Sequence, residues 1–147
     1  IPRAEEEFLA AVAHIEGRGG SDCEATYYLG SARVMQRKWA DASPDFEEAE
    51  PCYARAQRAL AKRIEAIAAS DLPDGRQARL IAAVERDIAA ARLQEARSAF
   101  NAAAAHANLG ALDKARPFAE RASAHPGLAD QAKALLARIE QALPPRR

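Results

Sequence analysis

One spacing, repeated along the chain, restricts the fold more than any other feature of the sequence. From Leu29-Gly30 the next small or apolar landmark is Ala42, thirteen residues after Leu29; Phe46 follows four residues later and Ala49 three beyond that. The same ladder returns from Ala102-Ala103, with Ala115 thirteen residues after Ala102, then Ala119 and Ala122, and Pro126 closing the unit. Gly110 falls at the turn inside this second unit. The four-then-three step also opens the chain as Ala4, Phe8 and Ala11, and Leu136-Ala137 lie 34 residues past Ala102-Ala103. Steps of four and three place side chains on one face of a helix. Their return at a fixed period marks stacked units, each too small to bury its apolar face alone.

The rest of the sequence agrees with helices. Hydrophobic residues make up 49% but aromatics only 5%, and the excess is alanine, the best helix former and a residue that lets helices approach closely. Breakers fall at Gly17 to Asp22, Ala40-Asp41, Ser70 to Gly75, Gly110 to Asp113, His125 to Gly127 and Pro144-Pro145. No run alternates apolar and polar residues with β-branched enrichment, so the predicted class is all-α in a single domain.

The ladder with its punctuation resembles the tetratricopeptide repeat, a 34-residue helix-turn-helix with small residues where its helices cross. The resemblance implies a right-handed α-α superhelix. Leu29 and Gly30 then face Ala42, with Phe46 and Ala49 packing onward; Ala102, Ala103, Ala115, Ala119 and Ala122 take those roles in the second unit. Thr26 and Ala99 stand where the family carries a large aromatic, and Arg33 and His106 where it carries tyrosine. The division that follows is a partial repeat over 1–17, a first repeat over 23–56, an extension over 57–95, a second repeat over 96–127 and a capping helix over 128–143.

The extension reads as a helical hairpin. Leu60, Ile64 and Ile67 form one stripe at helical spacing, and Leu80, Val84 and Ile88 a second. The predicted pairing covers 57–69 and 76–93, with reversal at Asp71 to Gly75. Asp41 is expected to cap the preceding helix with Pro44 in its first turn, and Pro51 to kink it.

Chemistry is sparse. His14, His106 and His125 lack metal-ligand spacing, so no metal site is expected. Glu47, Glu48 and Glu50 read as a solvated helix face. Gly17-Arg-Gly-Gly20 lacks the lysine and serine of a phosphate loop, and Ser21, Ser31, Ser43, Ser98 and Ser123 lack a nucleophile elbow. No enzyme activity and no cofactor are expected. Lysine plus arginine and aspartate plus glutamate number 21 each, which argues against nucleic acid as a partner. Residues 1–50 hold eleven acids against five bases, however. No stretch reaches the roughly 18 apolar residues of a membrane span. The start at Ile1-Pro2-Arg3 suggests a mature or excised fragment.

The family resemblance implies a scaffold holding a protein or peptide partner on its concave face. On the first inner helix that face carries Glu24, Tyr27, Ser31 and Met35; on the second Arg97, Phe100, Ala104 and Asn108; the end helix adds Arg138. The lysine and asparagine arrangement that clamps a terminal carboxylate in chaperone-binding members is missing, so no chaperone-tail ligand is expected. The alternative is a structural module that forms a homodimer through the hairpin. The repeat alignment also brings Cys23 near Cys52, either as a disulfide or as two buried thiols. A bridge favours a periplasmic or secreted protein; free thiols favour the cytoplasm.

Overall fold

The computed structural model describes residues 22–144, and these form five helices joined by short links, with no strand among the described residues. They are α1 (Asp22–Met35), α2 (Trp39–Ala68), α3 (Asp74–Asn108), α4 (Leu112–Ser123) and α5 (Ala129–Ala142). The partial repeat expected over 1–17 lies outside the described residues. Each helix packs mainly on its neighbours in sequence, and the α2–α3 contact is the largest.

The core is correspondingly spread along the stack. Cys23 of α1 joins Ala49 and Tyr53 of α2; Ala42 and Phe46 of α2 join Ala102 of α3; Ala99 joins Ala122 of α4 and Ala132 of α5; Ala103 joins Ala115, Ala119, Leu135 and Ile139. All six ladder positions from Ala42, Phe46 and Ala49 to Ala115, Ala119 and Ala122 are fully or almost fully buried. In α5 the pattern shifts: Ala132, Leu135 and Ile139 are buried while Ala137 is exposed.

The turn between α1 and α2 recurs between α3 and α4. Lys38 N–H donates to the Arg33 carbonyl at 2.9 Å, and Ala111 N–H donates to the His106 carbonyl at the same distance. The residue before each donor is left-handed, Arg37 at φ 58° and Gly110 at φ 76°. The residues preceding the second helices match too, Lys38 at φ −87°, ψ 65° and Ala111 at φ −86°, ψ 65°. This six-to-one bond with a left-handed residue satisfies carbonyls that a helix end would leave unpaired.

Three local expectations need correction. The second helix begins at Trp39, not after Asp41, and no side chain caps it. The reason is that the left-handed Arg37 ends α1 without a glycine to announce it. Pro44 therefore lies beyond the first turn, leaving the Ala40 carbonyl without a helical donor; Ser43 Oγ approaches that carbonyl at 3.5 Å. Pro51 lies inside α2, as expected, and the helix continues to Ala68. The hairpin link is Ala69 to Pro73, and Asp74 and Gly75 already belong to α3. Proline sets this boundary, its φ of −57° and ψ of 144° leading into the first turn. Gln77 Nε2 donates to the Ser70 carbonyl at 2.8 Å and ties the returning helix to the link.

Helices α2 and α3 run antiparallel, as the pairs Gln57–Glu95 and Glu47–His106 require. At 30 and 35 residues they extend roughly 45 and 53 Å. Between residues 57 and 93 of this pair only Val84 is buried.

Candidate functional site

Several polar side chains on the packed faces join helices. Arg33 Nη1 of α1 reaches both Asp45 carboxylate oxygens of α2, at 3.1 and 2.9 Å. Burial nevertheless pushes the Asp45 carboxyl above its ordinary value, outweighing the hydrogen bond and charge of Arg33. His106 Nε2 of α3 lies 2.8 Å from Glu47 Oε1 of α2 and its ring stacks on Phe118 of α4. Arg121 of α4 donates twice to the Glu50 carboxylate of α2, both at 2.9 Å, and its guanidinium lies 4.6 Å from the Phe118 ring centre. These bonds to Glu50 hold the Arg121 guanidinium's pKa above its ordinary value. Glu47 and Glu50 are therefore struts rather than members of a solvated face, because α3 and α4 cross that side of α2; Glu48 is exposed.

A groove at the α3–α5 end lies apart from these pairs. It crosses α3, α4 and α5, encloses about 240 Å³, and is lined by Ala104, Ala107, Asn108, Leu112, Leu135, Arg138 and Ile139. Ala104 and Ala107 of α3, Leu112 of α4 and Leu135 and Ile139 of α5 make its apolar lining, with Leu135 and Ile139 the most deeply buried. Asn108 and Arg138 are exposed on the rim. Asn108 Nδ2 donates to the Ala104 carbonyl at 2.8 Å, which holds the amide along its own helix. Such a surface can pack an apolar side chain and orient a polar one; it offers no nucleophile beside a base. Among the described residues no group of three His, Cys, Asp or Glu side chains could hold a metal ion.

The nine concave-face residues separate in the structure. Ala104, Asn108 and Arg138 share the groove just described. Tyr27 is half-buried: its ring meets Phe46 edge-on at 5.6 Å, and its Oη accepts from Asn101 Nδ2 at 3.0 Å. Ser31 Oγ donates back to the Tyr27 carbonyl at 3.1 Å. Phe100 packs against the Ala99 and Ala103 clusters. Met35 is 76% exposed, and Arg97 is exposed on α3. Glu24 lines a different groove, between α1 and the hairpin. Cys23 and Cys52 are disulfide-bonded, with α-carbons 5.5 Å apart.

Sequence reasoning missed Leu112, Leu135 and Ile139 as groove lining. The i, i+4 spacing of Leu135 and Ile139 carried the signal for α5, but only the packing of α3, α4 and α5 brings them and Leu112 of α4 to one groove with Asn108. No family model, curated protein or solved structure matches the chain. Among the described residues no helix is long and apolar enough to cross a membrane.

Proposed function

We propose that the chain is a non-enzymatic scaffold that binds a peptide or partner protein across its stacked helices, in the manner the tetratricopeptide resemblance implies. The groove over Ala104, Ala107, Leu135 and Ile139 carries this reading, because it combines an apolar lining with an exposed amide and an exposed guanidinium. Short apolar anchors with one or two polar contacts are what an extended peptide or a partner helix supplies. A displayed random-peptide library panned on the full chain tests it. Recovered peptides should lose binding to Ala104→Arg, which fills the groove, and to Arg138→Glu, while circular dichroism stays helical. Peptides that bind both variants unchanged would move the site elsewhere.

A second reading is self-association through the hairpin, favoured by Leu80, which is 38% exposed near the tip. Light scattering on Leu80→Glu and Leu60→Glu distinguishes the two. Val84→Glu is unsuitable, since Val84 is 4% exposed within one chain and its replacement would disrupt the hairpin itself. The disulfide supports an oxidising compartment, periplasmic or extracellular, because cytosolic thiols are generally kept reduced.

A further inference from the structure

The α3 side of the groove at Asn108 continues along the hairpin as a basic stripe. Steps of seven, eleven, seven and four residues separate Arg79, Arg86, Arg97, Ala104 and Asn108, which places all five on one face of α3. Ala104 and Asn108 line the groove, and the three arginines beyond them are all exposed. Arg138 of α5 also lines the groove and is exposed, and no acid is among its described lining. The acids of α3 keep off the stripe: Glu85 and Asp87 lie about 100° to either side of Arg86, Asp74 about a third of a turn away, and Glu95 on the opposite side, bonded to Gln57 of α2. Arg33 and Arg121 each meet a carboxylate, but none of the four stripe and groove arginines pairs or hydrogen-bonds with a described side chain.

We infer that the partner segment is acidic, with one apolar side chain seated in the groove and carboxylates that meet Arg138, Arg97 and Arg86. This deepens the reading of the groove as a binding site and rests on it. One exposed ion pair contributes little, but several charges of one sign on one face select the partner's charge and speed its approach. The helix sets the spacing: Arg97 is about 10 Å and Arg86 about 27 Å along α3 from Ala104. In an extended segment these distances correspond to about three and about eight residues from the apolar anchor. Glu24 and Asp87 line the neighbouring groove on the α1 side, so the acidic segment keeps to the side away from α1. A nucleic acid strand fits this face less well. Its charges come every few ångströms, far closer than these arginines, and its phosphates would lie against the apolar lining at Leu135 and Ile139.

Nuclear magnetic resonance titration of the full chain at low salt tests it, with acetyl-Leu-Ser-Ser-Glu-Ser-Ser-Ser-Ser-Glu-amide and its reversed sequence as probes. The same peptides with glutamine for glutamate are the neutral isosteres. Shifts should centre on Arg86, Arg97, Asn108 and Arg138, and the better glutamate peptide should bind about fivefold more tightly than its isostere. Arg86→Gln with Arg97→Gln, both at exposed positions, should remove that preference while leaving the glutamine peptide's affinity and the melting temperature unchanged. Physiological salt should shrink the preference, since exposed charges are screened. Equal binding of glutamate and glutamine peptides, with both lost in Ala104→Arg, would overturn the acidic partner and leave the groove standing. Binding that Ala104→Arg leaves unchanged would overturn the groove itself. No shift with either peptide order would overturn the inference, and a short thymidine oligonucleotide that outcompetes the glutamate peptide would overturn it in favour of nucleic acid.

Discussion

Where α1 crosses α2, Gly30 faces the ring of Phe46; where α3 crosses α4, Ala103 and Ala119 occupy the corresponding positions. Thirteen residues separate Arg33 from its unit's buried Phe46, as thirteen separate His106 from Ala119. Arg33 meets Asp45 in an ion pair, while His106 stacks on Phe118 with ring centres 5.7 Å apart. Both proline-bearing second helices start from the same turn geometry. The turn geometry thus recurs while the side chains around it differ: a large ring opposite glycine, or two alanines. Close packing limits the volume at each crossing, and glycine admits the Phe46 ring where an alanine carbon would meet it at 3.0 Å.

Phe46→Ala is the substitution that should separate the units most. It gives the first unit the second unit's residue without the matching alanine at Gly30, so a cavity opens beside Ala42 and Ala102. The expected loss is about 3–5 kcal/mol in a urea melt. A loss below about 1 kcal/mol would show that the helices close over the gap and that the ring is no keystone.

That compensation was half legible in the sequence. The ladder predicted Ala42, Phe46, Ala49, Ala115, Ala119 and Ala122 as buried because small residues at helical steps have few other uses. It also led to the long hairpin, since Leu60, Ile64, Ile67 and Leu80, Val84, Ile88 keep one period on either side of a turn. The α1–α2 turn was misplaced because Arg37 takes a conformation normally announced by glycine. The binding face was legible only in part. Asn108 and Arg138 could be assigned to exposed faces, but the burial of Tyr27 depends on Phe46 and on Asn101, 74 residues away. Pairs such as Glu47–His106 and Glu50–Arg121 are likewise products of tertiary crossing, and no local pattern encodes them.

The disulfide is the next distinction, for the second unit has Ala96 where the first has Cys23. It closes a loop with a sequence separation of 29, and its removal should cost about 3–4 kcal/mol on the chain-entropy account. Cys23→Ala with Cys52→Ala should shift the urea midpoint accordingly, and amide exchange should rise in α1 before α4. In denaturant without reductant the native protein should expose no reactive thiol; two would refute the bridge.

Arg33→Met tests the ion pair against the ring stack. It leaves the Asp45 carboxylate, 12% exposed, without its guanidinium, at an expected cost of about 2 kcal/mol near neutral pH, less than for a fully buried pair. The pH dependence has a definite sign. The native carboxyl is raised above 3.8, so between that value and the native one the folded state holds more protons than the unfolded. Its penalty persists at higher pH and is relieved as pH falls through this window. Without Arg33 the carboxyl rises further, and the deficit of the variant should narrow on acidification. A deficit that is flat or widens would show that Asp45 is not the group left exposed to burial.

Gly30→Ala probes the volume rule directly. The added carbon would lie 3.0 Å from Phe46 Cζ and 3.1 Å from Asp45 Cβ, and Phe46, at 1% exposure, has no room to retreat. Overpacking of about 2 kcal/mol against a helix-propensity gain of about 1 leaves a net loss of about 1 kcal/mol. In the Phe46→Ala background the clash is gone, so Gly30→Ala should instead stabilise by up to about 1 kcal/mol, recreating the second unit's pair. Additive effects in this double-mutant cycle would break the compensation argument.

The smallest effect should come from Arg37→Gly, which copies Gly110 into the first turn. Arg37 holds φ at 58°, a region where a side chain's Cβ crowds the following carbonyl at a cost of roughly 1 kcal/mol or more. Glycine adopts that conformation without the clash but loses more backbone freedom on folding, which offsets part of the gain. The two terms leave an expected stabilisation of about 0.5 kcal/mol, readable as a small rise in urea midpoint with an unchanged slope. The converse, Gly110→Arg, meets no neighbouring atoms within 4 Å, so its loss should come from backbone conformation alone and mirror that gain. If Arg37→Gly destabilised the chain while Gly110→Arg did so equally, the side chain of Arg37 would have to contribute a contact that the shared turn geometry does not require.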